Sequence, residues 1–450
     1  MEPRRRDTQA DALTRARGAS GRALVIGPYL RERSGGRHDV RAPAARLDEA
    51  VGLARAIDLE VVSSGIAMLA ELRPATYLGK GKVEEFAGLV KGLEIGLVVM
   101  DCALSPVQQR NLEKAWGAKV IDRTGLILEI FGRRARTREG TLQVELAHLN
   151  YQRSRLVRSW THLERQRGGF GFMGGPGETQ IETDRRLIAE RIAKIERELE
   201  GVKRTRALHR ASRKRVPYPI VALVGYTNAG KSTLFNRLTR ASVVSADMLF
   251  ATLDPTLRAV DLPHGTRIIL SDTVGFISDL PTTLVAAFRA TLEEVIEADL
   301  IVHVRDVSHL DAEAQSKDVE NVLRELGIEP EDARLVEVWN KIDRVDAGER
   351  ERLLNTSQRQ PAERRAALVS AITGEGIDHL IDLVEDRLGA ARVVLELDLD
   401  PVDGAGASWL YRHAEVLAKE MREDGRLGMT VRVDPAQAGL VRAKFKSAAG

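Results

Sequence analysis

The chain of 450 residues has one cysteine, few aromatic residues and no long apolar run. Cys102 cannot form an internal disulfide, which is typical of proteins of the reducing cytosol. No stretch reaches the ~20 apolar residues that a membrane-spanning helix needs. The Arg-rich residues 1–21 are not followed by the apolar core of a signal peptide, and we expect them to be disordered. With 68 basic and 65 acidic residues the formal net charge is only +3, so the average charge indicates no class of partner.

Residues 225–233, GYTNAGKST, have the spacing of a phosphate-binding loop. They follow the apolar run 220–224 and precede a helical stretch, so a buried strand, a glycine turn and a helix are predicted. The glycines let backbone N–H groups point at a phosphate, the helix N-terminus adds positive potential, and Lys231 reaches the outer phosphates. We therefore predict contacts with a nucleotide from Gly225, Tyr226, Thr227, Asn228, Ala229, Gly230, Lys231, Ser232 and Thr233.

Three more sequence elements follow in the order of a GTP site, each after a predicted strand. Asp272 is placed to hold Mg²⁺ through water, and the Gly275 N–H is placed to sense the γ-phosphate. Asp343 can accept from both guanine N1–H and N2–H₂, which adenine lacks, so GTP is selected over ATP. The run 367–371 ends at a turn whose backbone N–H can meet guanine O6. The residues predicted to contact the nucleotide here are Asp272, Thr273, Val274, Gly275, Asn340, Lys341, Ile342, Asp343, Ser370, Ala371 and Ile372.

The segment between the loop and Asp272 is predicted to be a switch that senses the nucleotide. One of its threonines should complete the Mg²⁺ shell when GTP is bound, and we choose Thr252 over Thr256. Magnesium is therefore predicted to be held by Ser232 and Thr252 directly and by Asp272 through water. The predicted catalytic residues are Lys231, Thr252 and Gly275. The switch residues predicted to lie at the nucleotide are Phe250, Ala251, Thr252, Leu253 and Asp254.

Short apolar runs alternate with amphipathic helical stretches in residues 22–140, which indicates a small α/β domain. Ser105 and Pro106 begin one predicted helix as N-cap and first helical residue. The turn 79–82, GKGK, enters another predicted helix, where it could hold a second phosphate group or touch RNA. The favoured interpretation is a turn with two exposed lysines, because the full phosphate-loop spacing is missing.

Residues 141–215 are predicted to form a basic helical hairpin with a glycine-rich tip. Between residues 131 and 167 nine arginines accompany three glutamates, a local net charge of 9 − 3 = +6. Such a stripe attracts phosphate backbones, and aromatic residues at the tip can stack on unpaired bases. The alternatives are a solvated helix face with two aromatics in the core, and a tip that folds back on its own helices. The residues predicted to contact RNA are Arg153, Arg155, Arg158, Phe170, Phe172, Gly175 and Gly177.

The predicted architecture is α/β, with a P-loop GTPase domain over residues 216–390. It follows the N-terminal α/β domain and the helical hairpin, and Pro217 and Pro219 end the preceding helix at the boundary. The tail 391–450 has a strand-like run at 393–397 and a predicted helix near 411–422. The tail is therefore predicted to be a small α+β domain.

Several of these runs resemble the motifs of HflX-type GTPases, which are ribosome-associated, translation-factor-related P-loop GTPases of the Obg and HflX kind. The runs are residues 225–232, 250–256, 272–276 and above all GPGETQIETDRR at 175–186. The resemblance implies a factor that binds the large ribosomal subunit, with its N-terminal region toward the peptidyl transferase centre. It also implies that the factor separates stalled or stress-arrested ribosomes. Some relatives are credited with ATP binding through the N-terminal region.

The protein is expected to be a cytoplasmic monomer. Peripheral association with a membrane stays open. A second class of function stays open: a GTP-gated binding module that acts on a non-ribosomal RNA or on a protein partner. The basic hairpin with its glycine tip favours the ribosomal class, because a switch that binds only proteins does not need it.

Phe276 stands where many small GTPases place a glutamine that orients the attacking water, and a phenyl ring cannot do this. Intrinsic hydrolysis is therefore expected to be slow, with the water positioned by another group. One candidate is a potassium ion, K⁺, held against the phosphates by the amide oxygen of Asn228. The alternative for Asn228 is that it only tolerates an unusual backbone conformation. The second candidate is the ribosome, which could order the switch around Thr252.

Overall fold

The computed structural model describes residues 21–31, 41–160, 180–213, 218–240, 249–250, 252, 256–263, 266–278, 292–390, 393–422, 425–433 and 435–445. The chain divides into two compact units, one of Met1–Val260 with Ile269–Glu375 and one of Asp261–Ile268 with Gly376–Gly450. Among the described residues, no helix is long and apolar enough to cross a membrane. The predicted tip residues Phe170, Phe172, Gly175 and Gly177 lie outside the described residues.

A four-stranded parallel sheet organises the N-terminal part of the first unit. Its elements are β1 (Arg22–Leu30), α1 (Pro43–Arg55), β2 (Glu60–Leu69), α2 (Lys80–Gly92), β3 (Leu97–Met100), α3 (Pro106–Trp116), β4 (Lys119–Asp122) and α4 (Arg123–Arg134). The strand order is β2-β1-β3-β4, and β1 and β3 are almost wholly buried, as expected of parallel strands covered on both faces. The neighbours of β1 lie on opposite sides of it, so the carboxyl ends of β1 and β3 form a topological switch point.

The start of α3 is fixed by its own sequence. Ser105 Oγ accepts from the Gln108 N–H at 3.2 Å, and the Gln108 side chain accepts from the Ser105 N–H at 2.9 Å. This reciprocal cap satisfies two N–H groups that a helix start leaves without partners. The predicted helix start is confirmed, with Ser105 as N-cap and Pro106 as the first helical residue.

Two long helices, α5 (Arg138–Trp160) and α6 (Gln180–Arg213), follow the N-terminal sheet. They pack on each other through buried Leu142, Ile195 and Leu199. A bidentate ion pair between Arg191 and Glu145, with both contacts at 2.7 Å, joins them further along. The pairing of α5 with α6 gives the geometry of a helical hairpin.

A six-stranded sheet carries the phosphate-loop sequence. Its elements are β5 (Ile220–Gly225), α7 (Lys231–Thr239), β6 (Thr256–Asp261), β7 (Arg267–Asp272), β8 (Leu300–Asp306), α8 (Ala312–Glu325), β9 (Leu335–Asn340), α9 (Ala347–Gln358) and β10 (Ala367–Leu368). The strand order is β10-β9-β8-β5-β7-β6, and β5 pairs in parallel with both β7 and β8. The loop after β5 therefore lies beside the carboxyl end of β7, where ligands bind in open α/β sheets.

The second unit contains a three-stranded antiparallel sheet in the order β11-β13-β12. Its elements are α10 (Ile377–Ala390), β11 (Val393–Leu399), α11 (Gly404–His413), β12 (Glu415–Met421), β13 (Leu427–Val433) and α12 (Pro435–Lys444). The predicted helix near 411–422 is wrong, because α11 ends at His413 and most of that stretch is β12. Residues such as Leu417 and Met421 favour helices, but pairing with β13 overrides this local preference.

Candidate functional site

The carboxyl ends of β5, β7 and β9 bring the predicted phosphate-binding and guanine-binding sequences to one edge of the sheet. β5 ends at Gly225, residues 226–230 form the loop, and α7 begins at Lys231. Gly230 has a left-handed φ of 94°, and a Cβ there would lie 2.2 Å from Asn340 Nδ2, so only glycine fits. The predicted succession of strand, glycine turn and helix is confirmed.

Lys231 is buried against the loop that precedes it. Its Nζ donates to Gly225 O at 3.1 Å and to Tyr226 O at 2.8 Å. Burial lowers the pKa of Lys231 to about 8, with Asp272 opposing and Lys341 reinforcing the shift. Two neutral carbonyls compensate a buried cation poorly, so this position favours an anion such as a phosphate.

The three predicted magnesium ligands lie together. Ser232 Oγ donates to Asp272 Oδ2 at 2.7 Å, Thr252 Oγ1 donates to the same oxygen at 2.8 Å, and the two hydroxyls are 3.0 Å apart. Asp272 Oδ1 is buried without a hydrogen-bond partner among the described residues, and burial raises the pKa of this carboxyl despite Lys231. A set of hard oxygens with one buried oxygen unpaired fits Mg²⁺ and its waters. Thr256 instead begins β6.

The guanine-recognition sequence is tied to the phosphate loop through Asn340. Asn340 Nδ2 donates to Ala229 O at 2.8 Å, and Asn340 Oδ1 accepts from the Ala371 N–H at 3.0 Å. Asn340 therefore connects the loop to the turn that contains Ser370 and Ala371. The Asp343 side chain is exposed beyond it, as recognition of a base requires.

Two connections at this end of the site were missed by sequence reasoning. Lys341 Nζ donates to Asp306 Oδ2 at 2.7 Å, which holds the recognition loop to the end of β8. Arg237 of α7 donates through Nε to Ala371 O at 2.6 Å and through Nη2 to Ile372 O. Asp306 ends its strand as Asp272 does, a signal that could have been used, whereas nothing local marks Arg237.

The residues after Asp272 lie against the phosphate loop. The Phe276 N–H donates to Gly225 O at 3.1 Å, and the Thr227 N–H donates to Phe276 O at 2.7 Å. The Phe276 side chain is only 1% exposed and belongs to the hydrophobic core, so its ring is directed away from any attacking water. Thr273 and Val274, which precede Gly275, are buried.

Several switch and loop residues that were predicted to contact the nucleotide are not placed with Ser232, Thr252 and Asp272. The Phe250 ring packs edge-on against Phe131 of α4, with centroids 4.8 Å apart, so it contributes to the core. Ala251, Leu253 and Asp254 lie outside the described residues. Asn228 is exposed with a left-handed φ of 59°, the unusual conformation that the sequence interpretation allowed for it.

Arg155, predicted to contact RNA, is engaged inside the protein. Its Nη2 donates to Asp122 Oδ2 at 2.5 Å and to Leu104 O at 3.3 Å, and its Nη1 donates to Gln109 Oε1. The prediction counted arginines and could not tell a paired side chain from a free one, so we give Arg155 a structural role. Arg153 on the same helix is exposed, and the side chain of Arg158 lies outside the described residues.

The turn 79–82 begins α2, with Gly79 as N-cap. Lys80 and Lys82 lie 3.9 and 2.6 Å from Glu84 and Glu85, and the lysine side chains are 91% and 40% exposed. These contacts match the interpretation as a turn with two exposed lysines.

A phosphate-loop sequence and a guanine-recognition sequence at the carboxyl ends of parallel strands in one sheet are the defining features of a P-loop GTPase, an enzyme that hydrolyses GTP. Family models match most of the chain: GTP-binding GTPase N-terminal at 44–132, GTP-binding GTPase Middle Region at 134–213, 50S ribosome-binding GTPase at 220–341, and HflX C-terminal domain at 355–447. The protein named GTPase HflX of Magnetococcus marinus is 54% identical over 88% of this chain and 89% of its own. The protein of the same name from Escherichia coli is 47% identical over 80% and 83%.

The chain belongs to the HflX family of GTPases. Among solved structures, a GTP-binding protein of Sulfolobus solfataricus in complex with GDP is 22% identical, with a TM-score of 0.43 over 81% of this chain and 98% of its own.

Proposed function

We propose that the chain is a cytoplasmic monomer that binds the large ribosomal subunit and uses GTP to separate stalled or stress-arrested ribosomes. The observation that carries this proposal is the match of residues 220–341 to the 50S ribosome-binding GTPases. The hairpin of α5 and α6 supports it, because it presents exposed Arg153 beside the arginine-rich stretch before the glycine tip. Arginines of this kind bind phosphate backbones without regard to sequence.

The chemistry of hydrolysis follows from the residues at the loop. Lys231 binds the outer phosphates, and the Gly275 N–H binds the γ-phosphate and senses its loss. Ser232 and Thr252 would hold Mg²⁺ through their hydroxyls, and Asp272 would hold it through water. When bound there, the ion would supply positive charge against the phosphate oxygens. Release of Thr252 after hydrolysis makes its segment a switch.

Because Phe276 stands at the position of the water-orienting residue, a group outside this segment has to position the attacking water. Because the ring is buried, its side chain cannot orient a water for attack on the γ-phosphate. We therefore expect slow turnover by the protein alone, and binding of the ribosome orders the segment around Thr252.

Purified large ribosomal subunits test this proposal. At low salt they are expected to raise GTP turnover by about 10²-fold or more. With a non-hydrolysable GTP analogue the protein should sediment with the subunits, and deletion of residues 168–177 should abolish this while nucleotide binding persists. The charge reversal Arg153→Glu should weaken sedimentation, and Arg352→Glu, at an exposed arginine of α9, serves as the matched control.

The outcome also separates the two classes of function. If turnover does not rise and the deletion leaves sedimentation unchanged, the ribosomal proposal fails. A hairpin-dependent rise in turnover with another structured RNA, without any ribosomal effect, would instead favour the GTP-gated module.

We propose separately that a potassium ion held by Asn228 supplies positive charge against the phosphates. Its support is the exposed side chain of Asn228 at the mouth of the loop. Replacing NaCl by KCl at equal ionic strength should raise the turnover of the protein alone, and Asn228→Ala should remove the difference between the two salts. Equal rates in both salts would rule out this role.

A further inference from the structure

A buried cluster of side chains links the N-terminal sheet to the residues on either side of the phosphate loop. We call it the Glu49 clasp, and its members are Glu49 of α1, Arg123 at the start of α4, Tyr226 of the loop and Ser278. Glu49 Oε1 accepts from Ser278 Oγ at 2.9 Å, and Glu49 Oε2 accepts from the Tyr226 hydroxyl. Arg123 Nη2 donates to Glu49 Oε1 and, at 2.9 Å each, to Ser278 O and Ser278 Oγ.

Ser278 is held through its backbone as well as its side chain. Its N–H donates to the Tyr226 hydroxyl at 2.7 Å, so the loop residue bridges Ser278 and Glu49. Arg41 strengthens the bridge, because its Nη1 donates at 2.8 Å to both Glu49 Oε2 and the Tyr226 hydroxyl. The phosphate loop and the segment after Gly275 are therefore fastened to one carboxylate of the N-terminal domain.

The clasp is charged and lies out of water. The side chains of Glu49 and Arg123 are 10% and 7% exposed. Burial alone would raise the pKa of Glu49, but Arg123, Tyr226 and Arg41 hold it below its usual range. Hydrogen bonds to a buried charge are stronger than neutral ones, and breaking one leaves the charge under-compensated. Removing Ser278 from the clasp therefore costs free energy.

The backbone beside the clasp is closed over the phosphate loop. Phe276 makes its two backbone hydrogen bonds with Gly225 and Thr227, as described above. A Cβ added to Gly275 would lie 2.8 Å from Thr227 Cγ2 and 3.0 Å from Lys231 Nζ. A γ-phosphate that binds both Lys231 and the Gly275 N–H has to lie between these groups. Entry of GTP is therefore expected to move the segment that ends at Ser278 away from the loop.

We propose that Glu49 and Arg123 are positioning residues that hold residues 275–278 in an arrangement compatible with GDP. Entry of the γ-phosphate opens the Glu49 clasp, so the N-terminal domain sets the preference of the site between GDP and GTP. This coupling requires no ribosome, and its test uses nucleotides and the full chain alone.

Two substitutions weaken the clasp in different ways. Glu49→Gln removes the charge and keeps the shape of the side chain, whereas Ser278→Ala removes one hydroxyl and leaves every charge in place. Affinities for GDP and for a non-hydrolysable GTP analogue are measured by titration with fluorescent nucleotides. In both variants the ratio of the two affinities is expected to shift toward GTP by about 5- to 20-fold, the usual size of such couplings.

A matched control is Glu145→Gln, which makes the same chemical change in the ion pair with Arg191 on the hairpin and should leave the ratio unchanged. Tyr226→Phe combined with Glu49→Gln should be non-additive for GDP binding and additive for the GTP analogue. Equal loss of affinity for both nucleotides would mean that the cluster is only structural and would overturn the proposal. If Glu49→Gln does not fold, an unchanged ratio in folded Ser278→Ala overturns it equally.

Discussion

The carboxyl ends of the parallel strands in the two sheets differ in how their buried carboxylates are satisfied. At the six-stranded sheet Asp272 Oδ1 and Thr227 Oγ1 lack partners among the described residues. At the four-stranded sheet Tyr29 donates to Asp101 at 2.7 Å, and both oxygens of Asp122 accept hydrogen bonds. An unpaired buried carboxylate oxygen costs stability, and a bound ligand offsets this cost at Asp272. Carboxyl ends of parallel strands thus form a ligand site in one case and a network of internal contacts in the other.

The largest expected effect comes from removing the cation of the ligand site. Lys231→Met keeps the length of the side chain and loses its charge, and GTP turnover should fall by about 10²- to 10³-fold. The melting temperature should not fall, because the buried ammonium has only two carbonyls as hydrogen-bond acceptors. Phosphate release and thermal denaturation measure the two effects.

Lys82→Met, at a partly exposed lysine of helix α2, is the control and should change neither quantity. A turnover of Lys231→Met within a few-fold of the parent protein would contradict the assignment of this edge as the phosphate site.

Asp122, whose two carboxylate oxygens are both paired, should respond in the opposite way. Asp122 accepts from Tyr151, Gly125, Leu104 and Arg155, so Asp122→Asn breaks a buried ion pair and should lower the free energy of unfolding by about 3 kcal/mol. Affinity for GDP in the folded protein should be unchanged. Chemical denaturation and nucleotide titration check both expectations.

Asp58→Asn provides a matched control, since Asp58 is exposed and its left-handed backbone suits asparagine. A large loss of GDP affinity in Asp122→Asn would show that the carboxyl end of the four-stranded sheet also takes part in nucleotide binding.

The ligand site was predictable from the sequence because its parts are local. The loop 225–233 and Asp272 carry their chemistry within a few residues of a strand end, where a parallel sheet must gather them. Thr252 was predictable by its type and position in the chain, and the structure brings its hydroxyl to Asp272 at 2.8 Å.

The Glu49 clasp was not predictable, because its members are far apart in the chain. Glu49 and Ser278 are 229 residues apart, and neither belongs to a motif that sequence reasoning can read. The contacts of Arg155 were not predictable either, because counting charges does not reveal that this arginine pairs with Asp122. The strand β12 was misread because local helix preference gives way to pairing with β13.

The smallest expected effect concerns a buried polar atom that lies away from the strand ends. His303 is in the middle of β8, its Nδ1 lacks a partner among the described residues, and burial lowers its pKa to about 4, although Glu337 opposes the shift. The folded protein therefore keeps this histidine neutral where the unfolded chain, with a pKa near 6.5, takes up a proton. The free energy of unfolding should fall as the pH drops from 6.5 toward 4.

His303→Leu should flatten this part of the pH dependence. The difference in unfolding free energy between pH 7 and pH 5 should shrink by about 1–2 kcal/mol relative to the parent protein, as urea denaturation at the two pH values would measure. Because other carboxylates titrate in both proteins, only the difference between them reports on His303. If the parent protein and His303→Leu lose the same unfolding free energy between pH 7 and pH 5, protonation of His303 does not contribute to the pH dependence. An unpaired buried atom would then not by itself distinguish a ligand site from the interior.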